Sequence, residues 1–376
     1  MPSFEARWRG TGAGLFLVFV LAACSEPNPE TFEFQQVGTT MGTTFSIKVP
    51  NLPDGIDAER LKAEINAELK SINETMSTYL TDSELSLLNR NRSTDWIGVS
   101  DQLAGVLAEA LRVSELSDGA YDVTVGPLVN LWGFGPEEVK QTVPDLDDIQ
   151  ARMKMCGYKK IRLNPERNSI RKDDPDIYID LSSLAKGYGV DEVANLLADQ
   201  GVESYLVEIG GELRVQGGKA NGTPWNIAIE KPLVGKRSIG QVIQLFDIAV
   251  ATSGDYRNFF EDHGTRYSHT VDPRTGMPIV HALASVTVMD RSAMRADALA
   301  TAFMVLGPDA GRKLALAHNI AALFIERNGS GFATLATPAF PSASEVEDKD
   351  EPISFDFFSD ARSDRRDGGR RDFWAK

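Results

Sequence analysis

An alanine-rich segment toward the end of the chain places a carboxylate and a hydroxyl four residues apart, at Asp297 and Thr301. Residues at i and i+4 lie on one face of a helix, so these two side chains would present their oxygens together. Hard cations such as Mg²⁺ take oxygen ligands of this kind and usually keep waters and substrate phosphates as further ligands. The spacing therefore suggests a magnesium site, although a solvent-facing Asp/Thr pair produces the same pattern.

A second segment, from Asp180 to Gly189, combines two serines, Lys186 and two glycines. We expect a short strand at Ile177–Asp180 and a helix at Ala185–Leu197, so this segment would open the helix. Unpaired backbone N–H groups and the helix dipole at such an end favour an anionic group. Lys186 could add a positive charge beside a phosphate, and a capped helix with a surface lysine is the plainer alternative.

His269 precedes a turn with the sequence Asp272-Pro-Arg-Thr-Gly276, in which proline presets φ and glycine permits a positive φ. A histidine at a strand end suits proton transfer near neutral pH, and a structural histidine is an equal alternative. Aromatic and glycine residues in other loops could hold a flat ring system, although such residues more often belong to a core. These loops contain Tyr79, Gly119-Ala120-Tyr121 and Trp132-Gly-Phe134.

Apolar spacing and turn residues predict strands and helices that do not alternate strictly. Leu61, Ile65 and Leu69 mark a helix over Asp57–Ile72, and Gly210-Gly211 predicts a hairpin. One further predicted helix opens at a capping box, Thr81–Glu84, and runs to Leu88. Two others span Leu103–Leu116 and Ala293–Val305. The predicted strands are Thr43–Val49, Tyr205–Ile209, Glu212–Val215, Trp225–Glu230, Gln241–Ala249 and Ser285–Met289. This pattern indicates an α+β fold with a largely antiparallel sheet.

The composition excludes several classes of protein. The chain of 376 residues is 42% hydrophobic, enough for a large core, and its formal net charge of −15 argues against general nucleic-acid binding. Two cysteines and four histidines are too few for a disulfide scaffold or a zinc finger. Beyond the N-terminus no apolar run is long enough to span a bilayer. We expect Cys156 to be a buried apolar residue rather than a nucleophile.

The N-terminus has the pattern of a bacterial lipoprotein signal. A basic start and an apolar stretch end in Ala22-Ala23-Cys24, and small residues before a cysteine resemble the lipobox; an ordinary cleaved signal peptide is the alternative. Acyl chains such as palmitate on Cys24 would anchor the protein to a membrane outside the cytoplasm. We expect a signal peptide at 1–23, a tether at 24–35, a folded body at 36–340 and a charged, disordered tail at 341–376.

Together and in this order, short motifs along the body resemble the ApbE family, the FAD:protein FMN transferases formerly called thiamine-biosynthesis lipoproteins. The resemblance runs from Met41 to about Gly307. The motifs are Met41-Gly-Thr43, Met76-Ser-Thr-Tyr79, Asp118-Gly-Ala-Tyr-Asp122, Asp180-Leu-Ser-Ser-Leu-Ala-Lys-Gly187, Ile209-Gly-Gly-Glu212, Ala251-Thr-Ser-Gly-Asp-Tyr256, His269-Thr-Val-Asp-Pro-Arg-Thr-Gly276 and Ala296-Asp-Ala-Leu-Ala-Thr-Ala302.

The resemblance implies a two-lobed α+β enzyme that binds FAD and Mg²⁺ between its lobes. Such an enzyme moves FMN from FAD onto a threonine or serine of another protein through a phosphoester and releases AMP. By matching position, the residues implied to contact FAD are Met41, Tyr79, Gly119, Ala120, Tyr121, Asp180, Lys186 and Val271. The implied magnesium ligands are the side chains of Asp297 and Thr301 and a backbone carbonyl near Ser183. His269 is the implied base for the acceptor hydroxyl, and Asp255 remains an alternative.

Acceptors of this family carry a motif resembling Asp-x-x-Thr/Ser-Gly-Ala-Thr, which this chain lacks, so we expect the flavin to go to another chain. The expected acceptors are subunits of NQR- or Rnf-type redox complexes on the periplasmic side, which favours the inner membrane, while Ser25 leaves the outer membrane open. Two alternative functions remain: an FAD pyrophosphatase that yields FMN and AMP, and a non-catalytic FAD-binding lipoprotein.

Overall fold

Strands rich in β-branched and aromatic residues form most of the folded body, and the structure, a computed structural model, describes residues 32–136, 141–256, 258–342 and 344–345. The strands are β1 (Phe34–Thr40), β2 (Thr43–Val49), β3 (Ile97–Gly98), β4 (Ile161–Asn164), β5 (Ser169–Lys172), β6 (Tyr205–Ile209), β7 (Glu212–Gln216), β8 (Trp225–Glu230), β9 (Ile239–Leu245), β10 (Ile248–Gly254), β11 (Phe259–Asp262), β12 (Thr265–Ser268), β13 (Val271–Asp272), β14 (Met277–Pro278), β15 (Leu283–Asp290), β16 (Ala321–Asn328), β17 (Gly331–Ala336) and β18 (Ser344–Glu345). The helices are α1 (Ala58–Met76), α2 (Glu84–Arg90), α3 (Asp101–Leu116), α4 (Gly126–Leu131), α5 (Leu146–Met153), α6 (Ala185–Asp199) and α7 (Ala293–Ala317). The signal segment, Cys24 and the tail beyond 345 lie outside the described residues, so the predictions about them stay predictions.

An eight-stranded central sheet runs in the order β1-β2-β6-β7-β10-β15-β16-β17, and every neighbouring pair is antiparallel. Its tight turns use residues at positive φ: Met41 and Gly42 (49° and 72°) join β1 to β2, and Gly210 and Gly211 (62° and 108°) join β6 to β7. The predicted α+β class with its antiparallel sheet is confirmed. The described residues from Phe32 onward form one compact unit.

Helices cover one face of the central sheet because alternate strand residues on that face are apolar. Phe45 and Ile47 of β2 share a buried cluster with Leu61 and Ile65 of α1. A second cluster joins Phe303 of α7 to residues of α3 and β15. No helix in the described part of the chain is long and apolar enough to cross a membrane.

Helices α6 and α7 approach each other closely because a glycine occupies their crossing point. A Cβ added to Gly187 would lie 2.3 Å from the carbonyl oxygen of Ala293. One turn further along α6, the carboxylate of Asp191 accepts the N–H groups of Ala293 and Met294 at 3.0 and 3.1 Å and the hydroxyl of Ser292 at 2.7 Å. Asp191 therefore caps the N-terminus of α7 and fixes it against α6.

Helix α7 extends beyond the predicted Val305 but is broken at Gly307 (φ 78°) and Pro308. Proline has no N–H to donate to the carbonyl four residues earlier, which belongs to Met304. The Nε2 atom of His281 lies 2.8 Å from that carbonyl oxygen and replaces the missing donor. The first half of α7, which carries both predicted magnesium ligands, is therefore a separate helical segment.

A three-stranded sheet, in the order β18-β9-β8, packs on the other face of the central sheet. Ile227 of β8 and Ile243 of β9 share a buried cluster with Leu213 of β7 and Val250 of β10. On the same face, β1 is left uncovered: Gln35, Val37 and Thr39 are exposed, with Val37 at 56%, whereas Ser46 of β2 is buried.

The predicted capping box of α2 was wrong in its first residue. The N-cap is Ser83 rather than Thr81, and its Oγ accepts the N–H of Ser86 at 3.0 Å. Glu84 does not close a box with Thr81; its carboxylate accepts the N–H and the hydroxyl of Ser100, both at 2.6 Å. The cap of α2 is thus tied to the start of α3.

Two predicted strands also differ from the structure. No strand forms at Ile177–Asp180, where the N–H and the carbonyl of Ile179 bond to the side-chain amide of Asn89 instead of to a neighbouring strand. The segment predicted as Gln241–Ala249 divides at Asp247 (φ 47°) into β9 and β10, which belong to different sheets.

Two further predictions concern the edges and the core of the body. The first strand begins at Phe34, two residues inside the segment expected to be a tether. Cys156 is buried, as predicted, at 8% exposure, and burial raises the pKa of its thiol to about 12. A thiol that holds its proton this strongly is a poor nucleophile.

Candidate active site

A cavity of about 1400 Å³ is lined by the uncovered face of the central sheet, the starts of α6 and α7 and the loop around β13. Most residues implied by the family resemblance lie on its wall. They are Tyr79, Ala120, Tyr121, Asp180, Ser183, Lys186, His269, Val271, Asp297 and Thr301. Side chains that are far apart in the sequence therefore meet around one space.

Lys186, in the first turn of α6, lies between two carboxylates. Its Nζ is 2.7 Å from Oε2 of Glu212 and 3.9 Å from Oδ2 of Asp297. Glu212 is 2% exposed and Asp297 is 3% exposed, so both would be costly to hold as charged groups without a cation nearby. The sequence motifs included Glu212 but did not indicate its pairing, because that pairing depends on how α6 packs against the β6–β7 hairpin.

Asp297 is a strongly perturbed carboxyl group on the cavity wall. Burial raises the pKa of this carboxyl to about 8, Lys186 opposes the rise, and the negative charge of Glu212 adds to it. The N–H of Gly187 donates to Oδ2 at 3.2 Å. Burial disfavours the charged form of this carboxyl, and few nearby groups offset that cost. A further positive charge beside it would therefore stabilise the carboxylate.

Hydroxyl groups surround this carboxylate on neighbouring elements. Oγ1 of Thr301, one helical turn beyond Asp297, is 3.2 Å from Oγ of Ser253 on β10. Oγ of Ser183 donates to the hydroxyl oxygen of Tyr121 at 2.9 Å, and burial raises the pKa of that tyrosine. Since the hydroxyl proton of Ser183 is donated to Tyr121, the lone pairs of the Ser183 oxygen remain available to another partner.

These donors fit magnesium better than a metal held by protein ligands alone. Within the described ranges, no group of three or more His, Cys, Asp or Glu residues could hold a metal ion. Mg²⁺ usually binds through one or two carboxylates and completes its octahedron with waters and substrate phosphates. One carboxylate, Asp297, with the hydroxyl of Thr301 and the backbone carbonyl and hydroxyl oxygens of Ser183 on the same cavity wall, matches that pattern.

His269 follows β12 and lines the cavity, with its ring edge-on to Phe134 at a centroid distance of 6.3 Å. Its Nδ1 is 3.0 Å from the carbonyl oxygen of Asn258. A carbonyl can only accept, so Nδ1 carries the proton and Nε2 carries the lone pair. Burial lowers the pKa of His269, which keeps the ring neutral at pH 7 and able to accept a proton.

Three predicted site residues do not line the cavity. The carboxylate of Asp255 is paired with the guanidinium of Arg327, with Oδ2 3.0 Å from Nη1. Met41 occupies the β1–β2 turn and packs against Gly189 of α6. Gly119, at φ 75°, ends α3 beside the lining residues. The pairing of Asp255 leaves His269 as the better-placed of the two candidate bases.

Glu208 is a cavity residue that the sequence analysis did not single out. It lies on β6, its carboxylate accepts the N–H of Gly211 at 2.6 Å, and burial, with the nearby charge of Glu212, raises its pKa to about 7. The strand alternation of β6 was the available signal, because it places Glu208 on the face opposite the buried Val207 and Ile209.

Two solved flavin transferases share this architecture. The flavin transferase ApbE from Vibrio cholerae matches with a TM-score of 0.76 at 47% identity, covering 81% of this chain and 97% of that chain. The apo form of the flavinyl transferase ApbE from Pseudomonas stutzeri matches with a TM-score of 0.75 at 42% identity, covering 82% and 96%. This chain belongs to the ApbE family, whose model matches residues 41–324.

Relatives with assigned activities agree with this membership. A protein of Vibrio cholerae named FAD:protein FMN transferase is 47% identical over 323 residues, which covers 86% of this chain and 95% of the relative. The FAD:protein FMN transferase of Escherichia coli is 37% identical over 334 residues, covering 86% and 94%. The resemblance found in the short motifs is thereby confirmed along nearly the whole length of the relatives.

Proposed function

We propose that this protein transfers FMN from FAD to a threonine or serine hydroxyl of an acceptor protein, with magnesium as cofactor. The observation that carries the proposal is one cavity that unites a buried carboxylate, a lysine and a neutral histidine, at Asp297, Lys186 and His269. In the reaction the acceptor oxygen bonds to the FMN phosphorus, the bridging phosphorus–oxygen bond of the pyrophosphate breaks, and AMP leaves.

Charge on the pyrophosphate is the main obstacle to this reaction, and the start of α6 is arranged to reduce it. The ammonium of Lys186 and the N-terminal end of the helix are positive groups fixed beside the cavity. Bound Mg²⁺, held by Asp297, Thr301 and Ser183, would withdraw charge from the phosphate oxygens. The backbone N–H of Asp180 donates to the carbonyl oxygen of Val123 at 2.7 Å, which holds Asp180 in the adjacent wall of the cavity.

The proton of the attacking hydroxyl needs an acceptor, and His269 has the required protonation state. Its Nδ1–H is held by the carbonyl of Asn258, so the lone pair on Nε2 is available for the proton. A positioned base of this kind contributes roughly 10²–10⁴-fold to the rate. We assign His269 as the base in preference to Asp255, because the ion pair with Arg327 stabilises the charged form of that carboxylate and makes it a weaker base.

The flavin ring requires a flat, partly apolar surface near the phosphate groups. Tyr79 is 46% exposed and lines the cavity, so its ring is accessible to a stacking partner. Ala120, Tyr121 and Val271 contribute buried apolar wall. We place the isoalloxazine against Tyr79 and leave Met41 and Gly119 as residues that shape the surrounding backbone.

The protein is also proposed to act as a lipoprotein anchored through Cys24 on the periplasmic side of a membrane, most simply the inner membrane. Support comes from the sequence pattern at the N-terminus and from the chemistry, since NQR- or Rnf-type acceptor subunits would be anchored in the same membrane. Anchoring both partners to one surface raises their effective concentration. Labelling of Cys24 with a palmitate analogue, absent in Cys24→Ala, tests this part of the proposal.

The decisive experiment follows the mass of an acceptor. The full-length protein in detergent is incubated with FAD, Mg²⁺ and a purified NQR-type acceptor domain, and the acceptor is weighed by mass spectrometry. Asp297→Asn removes the negative charge of the candidate metal ligand, and Asp309→Asn, at an exposed carboxylate on the second half of the same helix, is the matched control. We expect an added FMN-phosphoryl mass with the wild-type protein and Asp309→Asn, and none with Asp297→Asn or with a chelator.

Two other outcomes would support the alternative functions. Release of AMP and FMN without a change in acceptor mass, for every acceptor domain tried, would indicate an FAD pyrophosphatase. Bound FAD with no AMP under any condition would indicate a non-catalytic FAD-binding lipoprotein. Either result would refute transfer to a protein hydroxyl.

A further inference from the structure

The cavity is larger than one small molecule requires, and part of it forms a groove on the uncovered face of the central sheet. Its volume of about 1400 Å³ exceeds the roughly 300–1,000 Å³ that is common for small-molecule pockets. Val37 lies opposite Ser46, Ser46 opposite Glu208, and Glu208 opposite Leu213, on four consecutive strands of the sheet. Cross-strand partners share a face, so these four cavity-lining side chains form the floor of the groove.

Strand β8 forms the wall of this groove and presents an open edge to it. Within the described residues β8 pairs only with β9, and Asn226, Ala228 and other β8 residues line the cavity. The N–H of Lys231, just after β8, donates toward the β9 side at 2.8 Å. Because backbone groups of a strand point alternately to its two edges, the N–H and C=O groups of Asn226 and Ala228 point toward the groove.

The floor of the groove places a buried hydroxyl group beside an exposed apolar side chain. Ser46 is 4% exposed, and its Oγ has no hydrogen-bond partner among the residues that the structure describes. Beside it, Val37 is an apolar side chain left 56% exposed. An exposed apolar side chain on the floor of the groove gains free energy when another segment covers it.

We propose that the acceptor protein docks by adding an extended segment to the edge of β8 that does not pair with β9, over the exposed face of β1 that carries Val37. This inference rests on the proposed transferase function and names how its second substrate is held. Stacked sheets lie about 10 Å apart, and the three-stranded sheet already packs on the adjacent part of the same face. An added strand would continue that sheet across the groove, with side chains covering Val37.

An extended peptide fits this groove better than the adenosine half of FAD. A strand edge offers a row of alternating N–H and C=O groups, which another backbone can pair along its length, whereas a purine edge pairs with only one or two of them. The reaction also requires both substrates in the cavity at the same time. The groove opens into the same space as Lys186 and His269, so a segment on β8 could carry its hydroxyl to the reacting phosphorus.

Backbone donation by β8 is tested with a proline at Ala228. Ala228→Pro removes the N–H that faces the groove without removing a bond to β9, and proline is tolerated on such an edge. The matched control, Ala228→Val, keeps the N–H and adds similar bulk. For full-length protein and an NQR-type acceptor domain, we expect Ala228→Pro to raise the acceptor KM about 3- to 10-fold, with the Kd for FAD unchanged. Ala228→Val, which keeps the N–H, should raise the acceptor KM less than Ala228→Pro, and the difference between the two variants measures the backbone donor.

The floor is tested independently with a charge. Val37→Lys places an ammonium in the groove, and Val280→Lys, at a residue that is 82% exposed and does not line the cavity, is the matched control. We expect Val37→Lys to raise the acceptor KM about 3- to 10-fold and Val280→Lys to leave it unchanged. If Ala228→Pro and Val37→Lys both leave the acceptor KM at the wild-type value, or raise the Kd for FAD instead, the acceptor does not dock in this groove.

Hydrogen exchange separates a failure of docking from a failure of the proposed function, because it requires no turnover. With FAD and the acceptor domain present, amides of residues 225–230 should exchange at least about fivefold more slowly, while those of β17, the far edge of the central sheet, should not change. Protection at β8 without transfer would refute the chemistry and keep the docking site. Transfer without protection at β8 would refute the docking site and keep the chemistry.

Discussion

Replacing Gly187 by alanine tests whether the contact between α6 and α7 positions the active site. The added Cβ would lie 2.3 Å from the carbonyl oxygen and 2.6 Å from the carbonyl carbon of Ala293, and 2.7 Å from Cα of Met294. All three atoms belong to the backbone, so no side-chain rotation can relieve the overlap. The two helices must separate by roughly 1 Å to restore ordinary contact.

That separation would disturb the charges that the chemistry uses. Lys186 precedes Gly187, and the N–H of Gly187 itself donates to Asp297 at 3.2 Å, so both would move relative to the carboxylate. A displacement of about 1 Å at a catalytic group can cost about 100-fold in rate. Overpacking lowers the free energy of unfolding by about 1–3 kcal/mol. The higher helix propensity of alanine offsets up to about 1 kcal/mol of that loss.

We therefore expect Gly187→Ala to lower kcat for FMN transfer about 10- to 100-fold and to lower Tm by a few degrees, with FAD still bound. The assay is acceptor mass against time at saturating FAD and Mg²⁺, together with thermal unfolding. Gly105→Ala is the matched control, because Gly105 is exposed on α3 and an added Cβ there meets nothing within 4 Å. A Gly187→Ala protein with wild-type Tm and kcat would show that the helices do not meet as described.

Three further perturbations follow from individual contacts. Asp191→Ala removes the three hydrogen bonds from α6 to the start of α7, leaves the N-cap Ser292 in place, and should lower the free energy of unfolding by about 1–3 kcal/mol, measured by denaturant titration. His269→Gln should lower kcat by roughly 10²–10⁴-fold. Because burial lowers the pKa of His269, the wild-type rate should fall with acid only below pH 6.5, and that limb should vanish in the variant. The pKa of Glu208 is raised because the folded protein favours its protonated form. Relative to Glu208→Gln, the wild-type protein should therefore lose stability as the pH rises from 4.5 to 7, measured as Tm against pH.

Each of these expectations has an outcome that contradicts it. An Asp191→Ala protein as stable as wild type would mean that α7 is not capped from α6. An acid limb that persists in His269→Gln would assign the titration to another group. Parallel Tm curves for wild type and Glu208→Gln would mean that Glu208 titrates at its ordinary pKa.

Local patterns predicted those parts of the fold that local forces determine. The apolar spacing over Asp57–Ile72 matches α1, which runs from Ala58 to Met76 with Asp57 as its N-cap. The glycine pair at 210 and 211 marks a hairpin that forms as predicted. Ile177–Asp180 was mispredicted because apolar residues resemble a strand whether their backbone bonds to a neighbouring strand or, as here, to the side chain of Asn89.

The candidate site likewise has some features that a local pattern predicts and others that depend on how distant elements pack. The i, i+4 spacing of Asp297 and Thr301 sufficed to place both on one helix face, and both line the cavity. The pairing of Lys186 with Glu212 depends on the packing of α6 against a hairpin, and the pairing of Asp255 with Arg327 joins residues from distant parts of the chain. Distances between separate elements are set by the whole core, so no local pattern contains them.

The break in α7 has a consequence for how the protein can change in length. In an uninterrupted α-helix, one inserted residue turns everything beyond it by about 100°. Because Gly307 and Pro308 interrupt α7, and His281 replaces the missing hydrogen bond, an insertion after the break need not rotate the segment that carries Asp297. The C-terminal half of the helix and the strands that follow it can therefore diversify in length while the cavity keeps its register.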